Sequence, residues 1–303
     1  MRGQGRLSHL RGVAQLALLG LRRRGRGPLR AQRGPARKMA VERGGLVATH
    51  GQLRRYLAAT RGPETARYLP PGYSSIWETA LALELLALEG MPFPSRGIVH
   101  LATELVVVRP LNLFDPVRAR LELEGIEAHS RGAVLVLRFR CWKEAGQLCQ
   151  ENESRYLLPG VAPPPWTAGP PRPPEEPSTV RPPKGEWRMI STWDLPADAG
   201  LRYARASGDF NPVHLWPWTA RWLGFPRPIL HGHCTLAMVS HEIGGVSGAA
   251  PRKVSGRFRT PLELPATVRL ETAGELESGS VRMRLMDTKR RGRPYLEGLW
   301  VGG

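Results

Sequence analysis

The sequence predicts an α+β protein made of two similar units, in each of which an antiparallel sheet wraps around one central helix. Three observations support this prediction: a proline-rich stretch divides the chain, an apolar helix followed by strands stands on each side of it, and a short pattern recurs in both halves. At 303 residues the chain is long enough for two ordinary domains.

The proline-rich stretch covers residues 159–186 and contains PGVAPPPWTAGPPRPPEEPSTVRPPK. So many prolines exclude a helix or an interior strand, and we predict an extended linker. It could also be a ligand for a proline-reading module, but a tether needs no further partner. We therefore expect a basic arm over residues 1–35, an N-terminal unit over 36–158 and a C-terminal unit over 187–303.

The N-terminal unit contains a predicted buried helix. Ser75-Ile-Trp-Glu78 matches a capping box, the leucine-rich run Thr79–Leu88 follows it, and Gly90 predicts the end of the helix. The next apolar runs are rich in Val, Leu and Phe and predict strands at Leu101–Val108, Val117–Leu123 and Ala133–Trp142.

The C-terminal unit repeats this order, with a predicted helix over His231–Ile243 that ends at Gly244 and Gly245. Arg109-Pro-Leu-Asn-Leu113 parallels Thr260-Pro-Leu-Glu-Leu264, and each is followed by a predicted strand. The match indicates an internal duplication. A helix wrapped by one antiparallel sheet is the hot-dog arrangement, and two such units can pair their sheets and close one edge of each.

The net charge of +18 is concentrated at the N-terminus, where residues 1–41 carry eleven Arg or Lys and no acid. We expect no specific nucleic-acid partner, because no zinc finger, helix-turn-helix or aromatic-interleaved basic strand accompanies the charge. The apolar run Val13–Leu21 is too short to span a bilayer, so no transmembrane segment is expected. A mitochondrial-type presequence has the same composition, but we favour a cytoplasmic protein with a basic arm. The three irregularly spaced cysteines also fit a reducing compartment.

The most informative motif is Ser207-Gly-Asp-Phe-Asn-Pro-Val-His214, followed by Ile229-Leu-His-Gly232. These segments resemble the MaoC-like, or R-specific enoyl-CoA hydratase (hydratase 2), family. The resemblance implies a double hot-dog fold. It also implies reversible hydration of 2-enoyl thioesters and dehydration of (3R)-3-hydroxyacyl thioesters, carried by CoA or by acyl carrier protein.

Such a hydration needs a base for water, a proton for C2 and donors for the charge on the thioester oxygen. Asp209 and His214 are five positions apart in a loop that Pro212 stiffens, and by the resemblance they are the catalytic acid/base pair. Gly232 is the third predicted catalytic residue, because its backbone N–H at a helix start could hold the thioester oxygen.

Other residues near the motif are predicted to position or bind the substrate. The Asn211 amide does not titrate, so it should orient the loop or the His214 ring. Trp216 could wall an acyl tunnel, although large aromatic residues more often pack in a core. The predicted substrate-binding residues are Ser207, Asn211, His231, Trp216 and Phe225.

We predict neither a metal nor a cofactor. His231, His233, Cys234 and His241 fall within one helix length, but neighbouring rings in His-x-His point in different directions, and His233 and His241 lie two turns apart. The N-terminal helix start, Gly72–Ile76, has neither the His-Gly pair nor the upstream loop, so that unit is predicted to be non-catalytic. We interpret His100 as structural.

Two other functions remain open at this stage. An acyl thioesterase uses the same fold with a carboxylate near a helix end, and a non-catalytic thioester-binding scaffold could use the basic arm to contact an anionic partner. Arg221, Arg227 and Arg259 could contact the phosphopantetheine carrier. A homodimer is also possible.

Overall fold

The computed structural model describes residues 39–64, 68–88, 97–163, 185–276, 279–288 and 292–303. The predicted basic arm and most of the predicted linker lie outside these residues. No helix within the described ranges is both long and apolar enough to cross a membrane.

The N-terminal half contains two α-helices and five strands among its described residues. A 3-10 turn over Pro71–Ser74 leads directly into the second helix. The helices are α1 (His50–Ala59) and α2 (Ser75–Ala87), and the strands are β1 (Ala40–Leu46), β2 (Val99–Val107), β3 (Val117–His129), β4 (Gly132–Lys143) and β5 (Leu148–Pro159).

The C-terminal half contains five strands and three α-helices among its described residues. A 3-10 turn over Pro212–His214 lies between the first two helices. The strands are β6 (Arg188–Leu195), β7 (Pro251–Phe258), β8 (Ala266–Ala273), β9 (Ser280–Asp287) and β10 (Leu296–Gly302), and the helices are α3 (Ala199–Ser207), α4 (Pro217–Trp222) and α5 (Gly232–Ser247).

The described strands form one antiparallel sheet in the order β1-β3-β4-β5-β2-β7-β10-β9-β8-β6. Read inward from each edge, both halves have the same order, and they join where β2 pairs with β7. The two Pro-Leu-x-Leu segments lie at equivalent places, between β2 and β3 and between β7 and β8. The predicted α+β fold class, a double hot-dog, is confirmed.

The central helices α2 and α5 supply much of the buried core. Leu81 and Leu85 of α2 and Val239 and Ile243 of α5 are all at most 1% exposed. Each buried side chain of this size contributes roughly 1.5–3 kcal/mol relative to an exposed one. The apolar helix centres are therefore what hold the sheet around them.

Two details of the predicted helices are wrong. Ser75 makes no capping box, because the preceding 3-10 turn already has helical backbone angles and the Ser75 hydroxyl instead lies 3.0 Å from the Tyr203 hydroxyl. Gly244 and Gly245 do not end α5, which continues to Ser247 and ends where Gly248 adopts a left-handed conformation with φ of 69°. Packing of the helix against the sheet outweighs the low helix propensity of glycine.

Strand β5 had no clear signal in the sequence. Its inward-facing residues are polar, namely Gln150, Asn152 and Ser154, and all three are buried. Its outward-facing Glu151 and Glu153 pair with Arg138 of β4. Because both faces are polar, the strand lacks the apolar alternation that predicts a half-buried strand.

Candidate active site

The loop that carries the motif begins where α3 ends. Gly208 has φ of 81°, a left-handed conformation that turns the chain away from the helix. Ser207 is buried, and its hydroxyl donates to the Tyr203 carbonyl (2.9 Å) and accepts from the backbone N–H of Asp209 (3.2 Å). The structure therefore places Ser207 beneath the loop, where it holds Asp209 in position.

Asn211 organises the next turn. Its backbone N–H donates to Asp209 Oδ1 (3.2 Å), and its side-chain oxygen accepts from the backbone N–H of Val213 (3.4 Å) at the start of the 3-10 turn. This turn ends at His214. The side-chain contact is compatible with the predicted orienting role of Asn211.

The His214 ring is fixed by a single hydrogen bond. Its Nδ1 lies 2.7 Å from the carbonyl oxygen of Ile229. A carbonyl can only accept, so Nδ1 carries the proton, and in the neutral ring Nε2 keeps its lone pair. The hydrogen bond thus leaves Nε2 as the ring nitrogen with an available lone pair.

His231 lies against both motif residues. Its ring stacks on the His214 ring with centroids 3.6 Å apart, and its Nε2 donates to the backbone carbonyl of Asp209 (3.0 Å). The same Nε2 is 3.8 Å from Asp209 Oδ2. His231 Nδ1 is buried and has no hydrogen-bond partner among the described residues.

The electrostatics of these three groups favour an ionised carboxylate between neutral rings. Burial alone would raise the pKa of Asp209, but His231, His214 and the backbone N–H of Asn211 outweigh it and lower the pKa. Burial lowers the pKa of His214, and the Asp209 charge opposes this only in part. Burial and the neighbouring His214 lower the pKa of His231 to about 3.

The side-chain ligand atoms of Asp209, His214 and His231 lie within 4.8 Å of one another, a spacing that could also suit a metal ion. The two rings, however, are stacked at 27° to each other, and each uses one nitrogen to donate to a backbone carbonyl. Stacked rings do not aim their remaining lone pairs at one central point. The geometry favours proton transfer at this cluster over metal binding.

Gly232 begins α5, so its backbone N–H lies at the positive end of the helix and has no carbonyl one turn earlier to bond. A Cβ at this position would lie 2.6 Å from His100 Nδ1 and 2.9 Å from Phe258 Cζ. Close approach therefore requires glycine here. This is compatible with the predicted oxyanion role of the N–H group.

The aromatic residues after the motif differ in their exposure to solvent. Trp216 and Trp218 are 45% and 69% exposed, and their rings stack with centroids 6.1 Å apart. Phe225 is partly buried at the end of the turn after α4. The described structure thus shows Trp216 on the surface, not in an enclosed acyl tunnel.

Sequence reasoning missed the contribution of the N-terminal half to this region. His100, from the start of β2, packs on Gly232, and Tyr203 beside His231 contacts Ser75 of α2. No local signal could have revealed these contacts, because the partners are more than 100 positions apart.

Residues 174–289 match the MaoC like domain family. The chain carries a MaoC-like domain. Two curated proteins extend the likeness beyond the matched segment. The chain is 27% identical over 269 residues to 3-hydroxyacyl-thioester dehydratase X of Mycobacterium tuberculosis, covering 86% of this chain and 88% of that protein. It is 29% identical over 200 residues to the peroxisomal enoyl-CoA hydratase 2 of Arabidopsis thaliana, and this match covers 63% of this chain and 64% of that protein.

Solved structures support the same fold. The match to the crystal structure of HtdX of M. tuberculosis covers 87% of this chain and 100% of the HtdX chain, with 23% sequence identity and a TM-score of 0.71. A second match is a conserved hypothetical protein of M. tuberculosis that is described as having a double hotdog fold. This match covers 89% of this chain and 97% of that chain, with 12% sequence identity and a TM-score of 0.58. The predicted family resemblance is confirmed.

Proposed function

We propose that the chain is a hydro-lyase that hydrates 2-enoyl thioesters and, in reverse, dehydrates (3R)-3-hydroxyacyl thioesters. One observation carries the proposal: the Asp209 carboxylate and the His214 ring have ligand atoms within 4.8 Å of each other, close enough to hold one water molecule. The Asp209 side chain is 31% exposed, so water and substrate can reach it. The names of the relatives agree with this reaction.

In the proposed mechanism Asp209 and His214 share the proton transfers. The pair takes one proton from the bound water, the water oxygen forms a bond to C3, and the pair then returns that same proton to C2. The C2–C3 double bond is consumed, and the elements of water are added without any leaving group. Dehydration reverses each step.

The remaining groups are proposed to support this pair. The backbone N–H of Gly232 stabilises the negative charge on the thioester oxygen while C2 is electron-rich. Asn211 holds the loop, and His231 supports the His214 ring from its stacked face. We infer one active site per chain, in the C-terminal unit over residues 187–303, with the N-terminal unit over 36–158 as its non-catalytic partner.

We propose that the acyl group of the substrate is carried by CoA or by acyl carrier protein. Of the three arginines predicted to contact it, Arg227 pairs with Glu263 and Arg259 pairs with Glu297, whereas Arg221 lies exposed on α4. Arg221 is therefore the one of the three that has no ion-pair partner among the described residues. A homodimer and a cytoplasmic location stay predictions; the three buried free cysteines are compatible with a reducing compartment.

The test follows the loss of enoyl-thioester absorbance with crotonyl-CoA and with a longer 2-enoyl-CoA. We expect activity in the wild type and a loss of about 1,000-fold or more in Asp209→Asn and His214→Ala, because each removes one member of the proton-transfer pair. Asp198→Asn and His129→Ala are matched controls outside the site and should keep full activity.

Free thiol is measured in the same reactions. Release of CoA thiol without hydration would replace the proposal by the thioesterase alternative. Binding of the thioester without either reaction would favour the scaffold alternative.

A further inference from the structure

His100 of the N-terminal unit occupies an unusual position for a residue interpreted as structural. Its ring stacks on Tyr156 (centroids 4.5 Å apart) and contacts the rings of His233 and Phe258 (both 4.6 Å). Two of these neighbours, His233 and Phe258, belong to the C-terminal half. The ring thus lies at the join between the halves, directly against the start of α5.

A chain of hydrogen bonds connects His100 to a buried carboxylate. Glu78 of α2 is 1% exposed, and its Oε1 lies 2.6 Å from the Ser154 hydroxyl. Ser154 Oγ is 3.1 Å from the Thr103 hydroxyl. Thr103 Oγ1 is in turn 2.5 Å from His100 Nε2. We call these four residues, Glu78, Ser154, Thr103 and His100, the seam relay.

The direction of every bond in the seam relay follows from the carboxylate. The Ser154 hydroxyl donates its proton to Glu78 Oε1, so in its contact with Thr103 the Ser154 oxygen is the acceptor. Thr103 has then used its own proton and must accept from His100. Nε2 of His100 therefore carries the ring proton, and Nδ1 keeps a lone pair.

Nδ1 faces Gly232. It lies 2.6 Å from the place that a Cβ of residue 232 would occupy, so the His100 ring fills the space that any side chain there would need. Burial and the neighbouring His233 lower the pKa of His100 well below its usual value, which keeps the ring neutral. A neutral ring can pack against the first turn of α5 without opposing the positive end of the helix.

We propose that His100 is a positioning residue contributed by the N-terminal unit, held by the seam relay against Gly232 so that the backbone N–H at the start of α5 stays aimed at the thioester oxygen. This inference rests on the proposed function, since the thioester oxygen is the group to be positioned. The non-catalytic unit then takes part in catalysis through geometry alone.

The kinetic test removes one hydroxyl of the relay. Thr103→Val keeps the shape but cannot bridge Ser154 and His100, and we expect kcat for enoyl-thioester hydration to fall about tenfold, less than for loss of a direct oxyanion donor, with KM nearly unchanged. Thr103→Ser restores the hydroxyl and should recover most of the rate. Thr60→Val removes another buried threonine hydroxyl, directly after α1 and outside the relay, and should leave kcat unchanged.

The second test measures the protonation of the His100 ring directly and does not depend on enzyme activity. In the wild type labelled with ¹⁵N-histidine, the His100 signal, assigned by its loss in His100→Gln, should show Nδ1 unprotonated and Nε2 protonated. In Thr103→Val the proton should no longer be confined to Nε2 of His100, whereas in Thr60→Val it should remain there.

The outcomes separate the two proposals. If the wild type hydrates enoyl thioesters but Thr103→Val behaves like Thr60→Val, or if Nδ1 carries the proton, the role of His100 is wrong and the proposed function stands. If the wild type hydrates no thioester, the proposed function fails together with the thioester role of His100, and the NMR measurement alone decides whether the relay exists.

Discussion

The starts of the two central helices differ although they occupy equivalent places in the sheet. Helix α5 begins abruptly at Gly232, because His231 before it is extended (φ −62°, ψ 139°). Helix α2 continues from the 3-10 turn Pro71–Ser74 without a break in helical backbone angles. An abrupt start leaves backbone N–H groups pointing at the space in front of the helix, whereas a continued start uses part of them within the turn.

The polar groups near the two starts also differ. Glu78 of α2 accepts hydrogen bonds from both Asn152 (2.8 Å) and Ser154 (2.6 Å). Asp209, before α5, is partly exposed, and its neighbour His231 has a buried nitrogen without a partner in the described part. Fully bonded polar groups stabilise a fold, while incompletely bonded ones are available for chemistry. One duplicated architecture thus serves stability in one half and, in our proposal, catalysis in the other.

The largest expected contrast concerns the glycines at the two helix starts. Gly232→Ala would push a Cβ to 2.6 Å from His100 Nδ1 and displace the first turn of α5, so we expect hydration activity to fall about 100-fold or more. Gly72→Ala meets the Tyr56 hydroxyl at 2.6 Å and Ala237 Cβ at 3.3 Å, which should cost about 1–3 kcal/mol of stability and leave the activity of the folded fraction unchanged. Hydration rates and urea unfolding of both variants check this. Equal losses of activity would remove the functional distinction between the two helix starts.

A smaller contrast is expected in stability. Glu78→Ala leaves the donors of Asn152 and Ser154 buried without their acceptor, and we expect the free energy of unfolding to fall by about 3 kcal/mol. Asp209→Asn changes a partly exposed group that has few partners, so the change should stay within about 1 kcal/mol. Urea denaturation at neutral pH measures both. A larger loss in Asp209→Asn would mean that the motif loop is built for stability.

The smallest contrast concerns pH. Helix α5 contains His233 and His241, whereas α2 contains no histidine. Burial lowers the pKa of His241 from 6.5 to about 4, so between these values the unfolded chain binds a proton that the folded chain does not. This contribution to stability is complete above pH 6.5 and is lost as the pH falls towards 4.

The variant His241→Phe should remove this part of the pH dependence. We expect the slope of unfolding free energy between pH 6 and pH 5 to decrease by about 1 kcal/mol per pH unit relative to the wild type. Denaturant unfolding at a series of pH values gives the slope. An unchanged slope would show that His241 does not contribute to the acid sensitivity.

Local patterns were enough to predict much of the fold. The leucine-rich run of α2 and the partly alternating runs of β2, β3 and β4 have the periodicities that helices and half-buried strands require. Each element was found where predicted within a few residues, except that β3 continues six residues beyond the predicted end, to His129. The SGDFNPVH motif likewise pointed to Asp209 and His214, through its resemblance to the motif of the MaoC-like family. Strand β5 was missed because its buried face is polar, and the helix α1 because its sequence, HGQLRRYLAA, is largely polar with only a short apolar face.

The sequence by itself determined which residue types are available for the proposed chemistry and that the chain contains two helix-and-sheet units. Only the tertiary structure decided which nitrogen of His214 carries the proton, that His231 stacks on that ring, and that Glu78 and His100 lie close to the start of α5. The reason is physical: Glu78 and Ser154 are 76 positions apart, and His100 and Gly232 are even further apart. The contact of His100 with Gly232 depends on how β2 pairs with β7, and no local periodicity of the sequence specifies that pairing.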